Sequence, residues 1–194
     1  MQTTRRATPL SVEDRQSMIV DAVIPLLLTH GRAVTSRQIA DAAGVAEGTI
    51  FRAFGDKDAV IAAALERFFD PEPMRAALRT VSPDQPLEAK VQQLIVILRD
   101  RFRGIIGMMA ILGERERPPH RGDYHQFEDI ISTALAPDAA TLGWSGARIA
   151  QVLRILAFSS AIPGVAGDDL FSVEELTHIV LYGVTGLHPD IRRN

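Results

Sequence analysis

Between Thr35 and Lys57 the chain gathers groups suited to holding an anion: hydroxyls on Thr35 and Ser36, and permanent cations on Arg37, Arg52 and Lys57. The run Ala46, Glu47, Gly48, Thr49 is almost bare of large side chains. If it opens a helix, its first backbone N–H groups point outward without partners, and a phosphate or a base edge can come close. Gly48 inside a helix costs roughly 1 kcal/mol relative to alanine, so a methyl group there would obstruct something. That something is an approaching molecule or the protein's own packing. A second set of reactive side chains, His120, His125, Glu128 and Asp129, has the character of a metal or acid/base cluster, with His125 and Glu128 on one helix face. No second His-x-x-Glu accompanies it, and the surrounding loop is highly charged. There is no Gly-x-Ser-x-Gly, P-loop or dinucleotide fingerprint. The absence of cysteine removes disulfides, thiolate metal sites and cysteine nucleophiles together. The chain is therefore expected not to be an enzyme and to need no cofactor or metal.

The elements that must position these groups are helices, because apolar residues recur at helical spacing throughout and period-two alternation never lasts more than a few residues. The fold class expected is all-α. After an arm of residues 1–11, a first helix runs from about Val12 to His30, bent at Pro25 and stopped by Gly31. Thr35 or Ser36 caps a second helix that stops at Gly44, a third follows at once, and Asp56 caps a fourth. Pro71-Glu72-Pro73 ends the fourth, and a short helix precedes a long one from about Leu87 to Leu112. Helices over Tyr124 to Leu135, Gly146 to Ile162 and Ser172 to Leu187 complete the chain, the last with a Ser172/Glu175 capping box. Two domains are expected, residues 1–57 and 58–194.

Ala40 four residues before Gly44, with Val45 and Ile50 filling the angle, is the spacing of a helix-turn-helix whose second helix enters the major groove. An ordinary helical hairpin shares that spacing. The flanks are more specific: "TSRQIADAAGVAEGTIFRAFGDKDAV" resembles the DNA-binding signature of the TetR family of bacterial transcriptional repressors, and "IVDAVIPLLLTHG" resembles its first helix. The resemblance covers about Val12 to Val60. It implies DNA contacts by Thr35, Ser36, Arg37, Ala46, Glu47, Gly48, Thr49, Phe51, Arg52 and Lys57, those of Thr35, Ser36 and Arg37 fixing register on phosphates. Two positions depart from the family pattern. Phe51 stands where tyrosine is usual and Ala53 where histidine is frequent, so both lack a polar group for the DNA backbone.

A single helix-turn-helix reads few base pairs, so a dimer is expected. The resemblance implies that the last two helices pair with their copies, and the apolar positions Ile149, Val152, Leu153, Leu156, Leu176, Ile179, Val180, Gly183 and Leu187 are the expected interface; the same stripe would also serve as the monomer's own core. The resemblance further implies a ligand cavity among the middle helices, lined by Leu98, Phe102, Ile105, Met108, Met109, Leu112, Phe127, Ile131, Trp144 and Phe158, with methionines lending it adaptability. Arg99, Arg103, Glu114, Tyr124 and His125 are equal candidates for its polar specificity. Partners expected are double-stranded operator DNA, a second copy and an unidentified small, largely apolar effector, with no membrane. Residues 1–57 carry seven Lys or Arg against six Asp or Glu, a weak basic bias that alone announces no nucleic-acid binder. Without a signal peptide or an apolar run near the ~20 residues that span a bilayer, a cytoplasmic location is expected. The competing reading, prompted by Phe51 and Ala53, is a helical ligand-binding or interaction protein with weak DNA binding.

Overall fold

The computed structural model describes residues 11–113, 124–164 and 171–183, and these are helical with no strand among them. They form α1 (Val12–His30), α2 (Ser36–Ala43), α3 (Glu47–Phe54), α4 (Lys57–Phe69), α5 (Glu72–Arg79), α6 (Leu87–Leu112), α7 (Tyr124–Leu135), α8 (Gly146–Ala161) and α9 (Val173–Tyr182), with 3-10 turns at Gly31–Ala33 and Ala136–Asp138. The contacts divide the chain into two compact units, one of residues 1–70 and 108–120, the other of 71–107 and 121–194. The expected division after residue 57 falls at the first residue of α4, yet α4 packs along α1 and so belongs to the first unit.

In the first unit α1 is the central post against which α2, α3 and α4 pack. Ile19, Val23 and Leu27 of α1, Ile39 and Ala40 of α2, Ile50 of α3, and Val60, Ile61 and Ala64 of α4 are buried. Each large aliphatic side chain contributes about 1.5–3 kcal/mol by leaving water. α1 continues through Pro25, whose carbonyl accepts from the Thr29 hydroxyl at 3.0 Å. Gly31 ends it at φ 55°, and a Cβ there would lie 3.1 Å from Cγ2 of Ile111 near the end of α6. The left-handed backbone there favours glycine, and a side chain would also make a tight contact with Ile111. Two side chains fix the register of the unit: Gln16 Nε2 donates to the Ala53 carbonyl at 2.7 Å, and Arg67 on α4 reaches Ser17 Oγ at 2.9 Å and Asp21 at 2.7 Å on α1.

The second unit is built around α7 and α8. Leu94, Ile95 and Leu98 of α6, Phe127 and Ile131 of α7, Ile149, Leu153 and Ala157 of α8, and Leu176 of α9 form its apolar core. Gly146 makes the α7–α8 approach possible: a Cβ on it would sit 2.7 Å from Ser132 Cα and 2.9 Å from Ser132 Cβ. Lys90, 1 % exposed, donates to Asp138 at 2.7 Å and ties the first turn of α6 to the turn after α7. The capping box of Ser172 and Glu175 starts α9. That helix ends earlier than expected, with Gly183 as its C-cap at φ 69°; residues 184–187 lie outside the described residues.

Candidate nucleic-acid interface

Why α2 and α3 meet at a fixed angle follows from their ends. Thr35 caps α2 through a full capping box: its hydroxyl accepts from Gln38 N at 3.2 Å, and Gln38 Oε1 accepts from Thr35 N at 2.8 Å. At the other end Gly44 takes the left-handed conformation, φ 65° and ψ 31°, and Val45 N donates to the Ala40 carbonyl at 3.0 Å. This is the closure that lets a helix stop and the chain turn at once. Ala40 is buried in the angle, Val45 half-buried, and Ile50 fully buried beneath α3. The helix-turn-helix geometry thus comes from a cap, a left-handed glycine and three apolar side chains.

The outward side of α3 is sparsely furnished. Ala46 precedes its first turn without a side-chain cap, so no side chain competes for the opening amides. Ala46, Glu47 and Gly48 are exposed and Thr49 half-buried. A Cβ on Gly48 would meet only Arg52 Nη2, at 3.8 Å, so packing within the protein does not call for glycine there. Arg52 Nε lies back on the Gly48 carbonyl at 3.2 Å, and Phe51 is 47 % exposed. Phe54 is half-buried and lines a cleft between α1 and α4 with Gln16, Val20 and Phe69.

Charges separate the residues of this face into two groups. Lys57, expected on DNA, has its Nζ on the Arg32 carbonyl at 3.3 Å, and Arg32 stands 3.9 Å from Asp58. Arg67 is paired with Asp21. Arg37 and Arg52, by contrast, have no carboxylate partner among the described residues. Arg15 of α1 shares that condition, and sequence reasoning missed it. It lines one groove with Val12, Val45, Ala46, Thr49, Arg52 and Ala53. Arg15 therefore stands beside Ala53, where a polar group was expected and is lacking. Its neighbour Gln16, bonded to the Ala53 carbonyl, fixes that position, and no sequence-local signal announces a contact across 37 residues. Thr35 and Arg37 are exposed and Ser36 half-buried at the start of α2.

The expected pocket and dimer residues scatter more widely. Leu98, Phe127 and Ile131 lie in the core of the second unit, and Met108 is buried in the first. Ile105, Met109 and Leu112 are half-buried. Phe102 meets Phe158 edge-to-face at 5.4 Å. Trp144, expected to line the pocket, is 61 % exposed in the loop before α8. On α8 and α9, Ile149, Leu153 and Leu176 are buried in the core of the second unit, while Val152, Leu156, Ile179 and Val180 are half-buried. The apolar residues that α8 leaves outside are Ile155 at 56 % and Phe158 at 45 % exposure. α8 is apolar on two faces, and periodicity selects the longer stripe, which is the one that folds inward. His125 is exposed 3.9 Å from Glu128, which accepts from Gln151 at 3.1 Å; His120 lies outside the described residues. Among the described residues no three His, Asp or Glu side chains converge as a metal site, and no helix is long and apolar enough to cross a membrane.

Residues 19–64 match the family described as bacterial regulatory proteins, tetR family. No curated protein shows significant sequence similarity to the chain. Solved structures share the fold at low identity. A TetR transcriptional regulator from Streptomyces coelicolor superposes with TM-score 0.55 at 18 % identity, over 87 % of this chain and 97 % of that one. FadR from Bacillus subtilis, in complex with stearoyl-CoA, gives 0.53 at 15 %, over 87 % and 98 %. SmeT, the repressor of a Stenotrophomonas maltophilia multidrug efflux pump, gives 0.53 at 22 %, over 86 % of each chain; a SmeT–triclosan complex gives 0.50 at 20 %, over 87 % and 88 %.

Proposed function

We infer that this tetR-family transcriptional regulator acts as a homodimeric repressor that leaves its operator when a small, largely apolar molecule binds the helical region after α4. The observation that carries the DNA reading is the outward face of α3. Its first turn is uncapped, a Cβ on Gly48 would meet only Arg52 among the described residues, Arg15 and Arg52 line the groove beside it, and Arg15, Arg37 and Arg52 have no carboxylate partner among those residues. Uncompensated cations on neighbouring elements are the footprint of phosphate contacts. Lys57, held on a backbone carbonyl, anchors the domain and plays a smaller part at the DNA. Triclosan in SmeT is largely apolar and stearoyl-CoA in FadR carries a long apolar acyl chain on its polar coenzyme A, which supports an effector with an apolar body. The exposed Ile155 supports pairing through α8. Release then follows from population shift, because a ligand lowers DNA affinity only by binding the DNA-incompetent arrangement better.

The test is an electrophoretic shift with DNA upstream of the chain's own gene over a salt series. Binding should weaken steeply with salt, and Arg15→Ala or Arg52→Ala should each flatten the slope by about one phosphate contact on specific and nonspecific DNA alike. Absence of any salt-dependent shift overturns the reading and leaves a helical ligand-binding protein.

A further inference from the structure

We propose that Arg99 is the anion-recognising group of an effector site in the second unit, and that the effector is an amphiphile with a carboxylate on an apolar body. This rests on the reading of the chain as a ligand-released regulator. Five polar residues were equal candidates in sequence; Glu114 and the Tyr124 side chain lie outside the described residues, and among Arg99, Arg103 and His125 the structure singles out Arg99. Arg99 Nη1 donates to the Phe171 carbonyl at 3.2 Å. Its Nε is closed off from solvent and, among the described residues, is the buried side-chain polar atom without a hydrogen-bond partner. A buried donor with nothing to donate to costs about 1–3 kcal/mol, and more when it is charged. No carboxylate pairs with Arg99 among the described residues.

Arg103, one turn along the same helix, is exposed and likewise has no ion pair there. Two cations four residues apart on a helix repel each other, and an anion between them relieves that repulsion. With Nη1 occupied by Phe171, the Nε–Nη2 edge of Arg99 remains, and that edge holds a carboxylate through two parallel hydrogen bonds. The apolar body has a surface at hand. Phe102 lies three residues from Arg99 and packs edge-to-face on Phe158, which is partly open to solvent. A carboxylate on that edge fixes a guanidinium whose Nη1 holds the carbonyl of Phe171, the residue just before the Ser172 cap of α9. Binding and a change at the start of α9 are thereby one event, which is the state-dependent contact that release from DNA requires.

Calorimetric titration of decanoate and of decan-1-ol into the full chain tests this. Decanoate should bind saturably, and decan-1-ol about tenfold more weakly or worse, the factor that one charge-assisted hydrogen-bond pair carries. Arg99→Met should bring decanoate down to the level of the alcohol. Circular dichroism checks that variant; if it does not fold, Arg99→Lys, which keeps the charge but lacks the fork, should still lose most of the preference for the acid. Equal binding of acid and alcohol, undiminished decanoate binding by folded Arg99→Met, or no decanoate binding at all overturns the proposal. DNA binding by the ligand-free chain is read separately. DNA binding without decanoate binding removes the site and keeps the regulator, whereas decanoate binding without DNA binding keeps the site and removes the regulator.

Discussion

Among the described residues a methyl group at position 48 would touch nothing nearer than the Arg52 guanidinium, and alanine is the better helix former by about 1 kcal/mol. Gly48→Ala is therefore expected to raise the midpoint of thermal unfolding while weakening operator binding by about tenfold, the scale of one spoiled base-pair contact. Opposite signs in the two measurements identify a residue kept for an external surface; unchanged DNA affinity would show that the bare turn has no such purpose. Phe51 offers the converse experiment. It is exposed and carries no polar atom, so Phe51→Tyr adds a hydroxyl without disturbing the core. A gain of about 1 kcal/mol in DNA affinity is expected, with stability unchanged, if that hydroxyl reaches a phosphate.

Helix ends and helix crossings set the next level. Thr35→Ala removes both halves of the α2 capping box and should cost about 1 kcal/mol in denaturant unfolding, while Thr35→Ser should cost little. Gly146→Ala presents a sharper case, because helix propensity alone predicts stabilisation. The backbone of Ser132 lies where the methyl would go, so a loss of about 1–3 kcal/mol is expected instead. The caps at Thr35, Asp56 and Ser172 and the turn at Gly44 were legible in sequence because each is decided within a few residues. The bonds from Gln16 to Ala53 and from Lys90 to Asp138 were not, since they join residues 37 and 48 positions apart and leave no local pattern. The inward stripe of α8 was legible as apolar, but which of its two apolar faces turns inward depends on α6, α7 and α9 around it. Arg15 escaped notice for the same reason: its place beside Ala53 exists only once α1 and α3 are packed.

For the whole molecule, the outer face of α8 and the buried ion pair give separable predictions. Ile155→Glu places a charge on an exposed apolar position and should leave the fold intact while shifting sedimentation from dimer to monomer and weakening operator binding. A monomeric wild-type chain would dispose of that idea. Lys90→Met leaves the Asp138 carboxylate without its cation and is expected to cost about 3–5 kcal/mol, a large part of a small protein's stability. Replacing both partners by apolar residues should recover most of that loss. The close crossing at Gly146 also governs how movement travels. Where Gly146 meets Ser132 only the backbone and the short side chain of Ser132 face α8, so little at that point can yield by changing rotamer and the two helices mesh like gear teeth. A molecule wedged against Phe127 or Ile131 on α7 is expected to move α8 with it, and with α8 the outward position of Ile155.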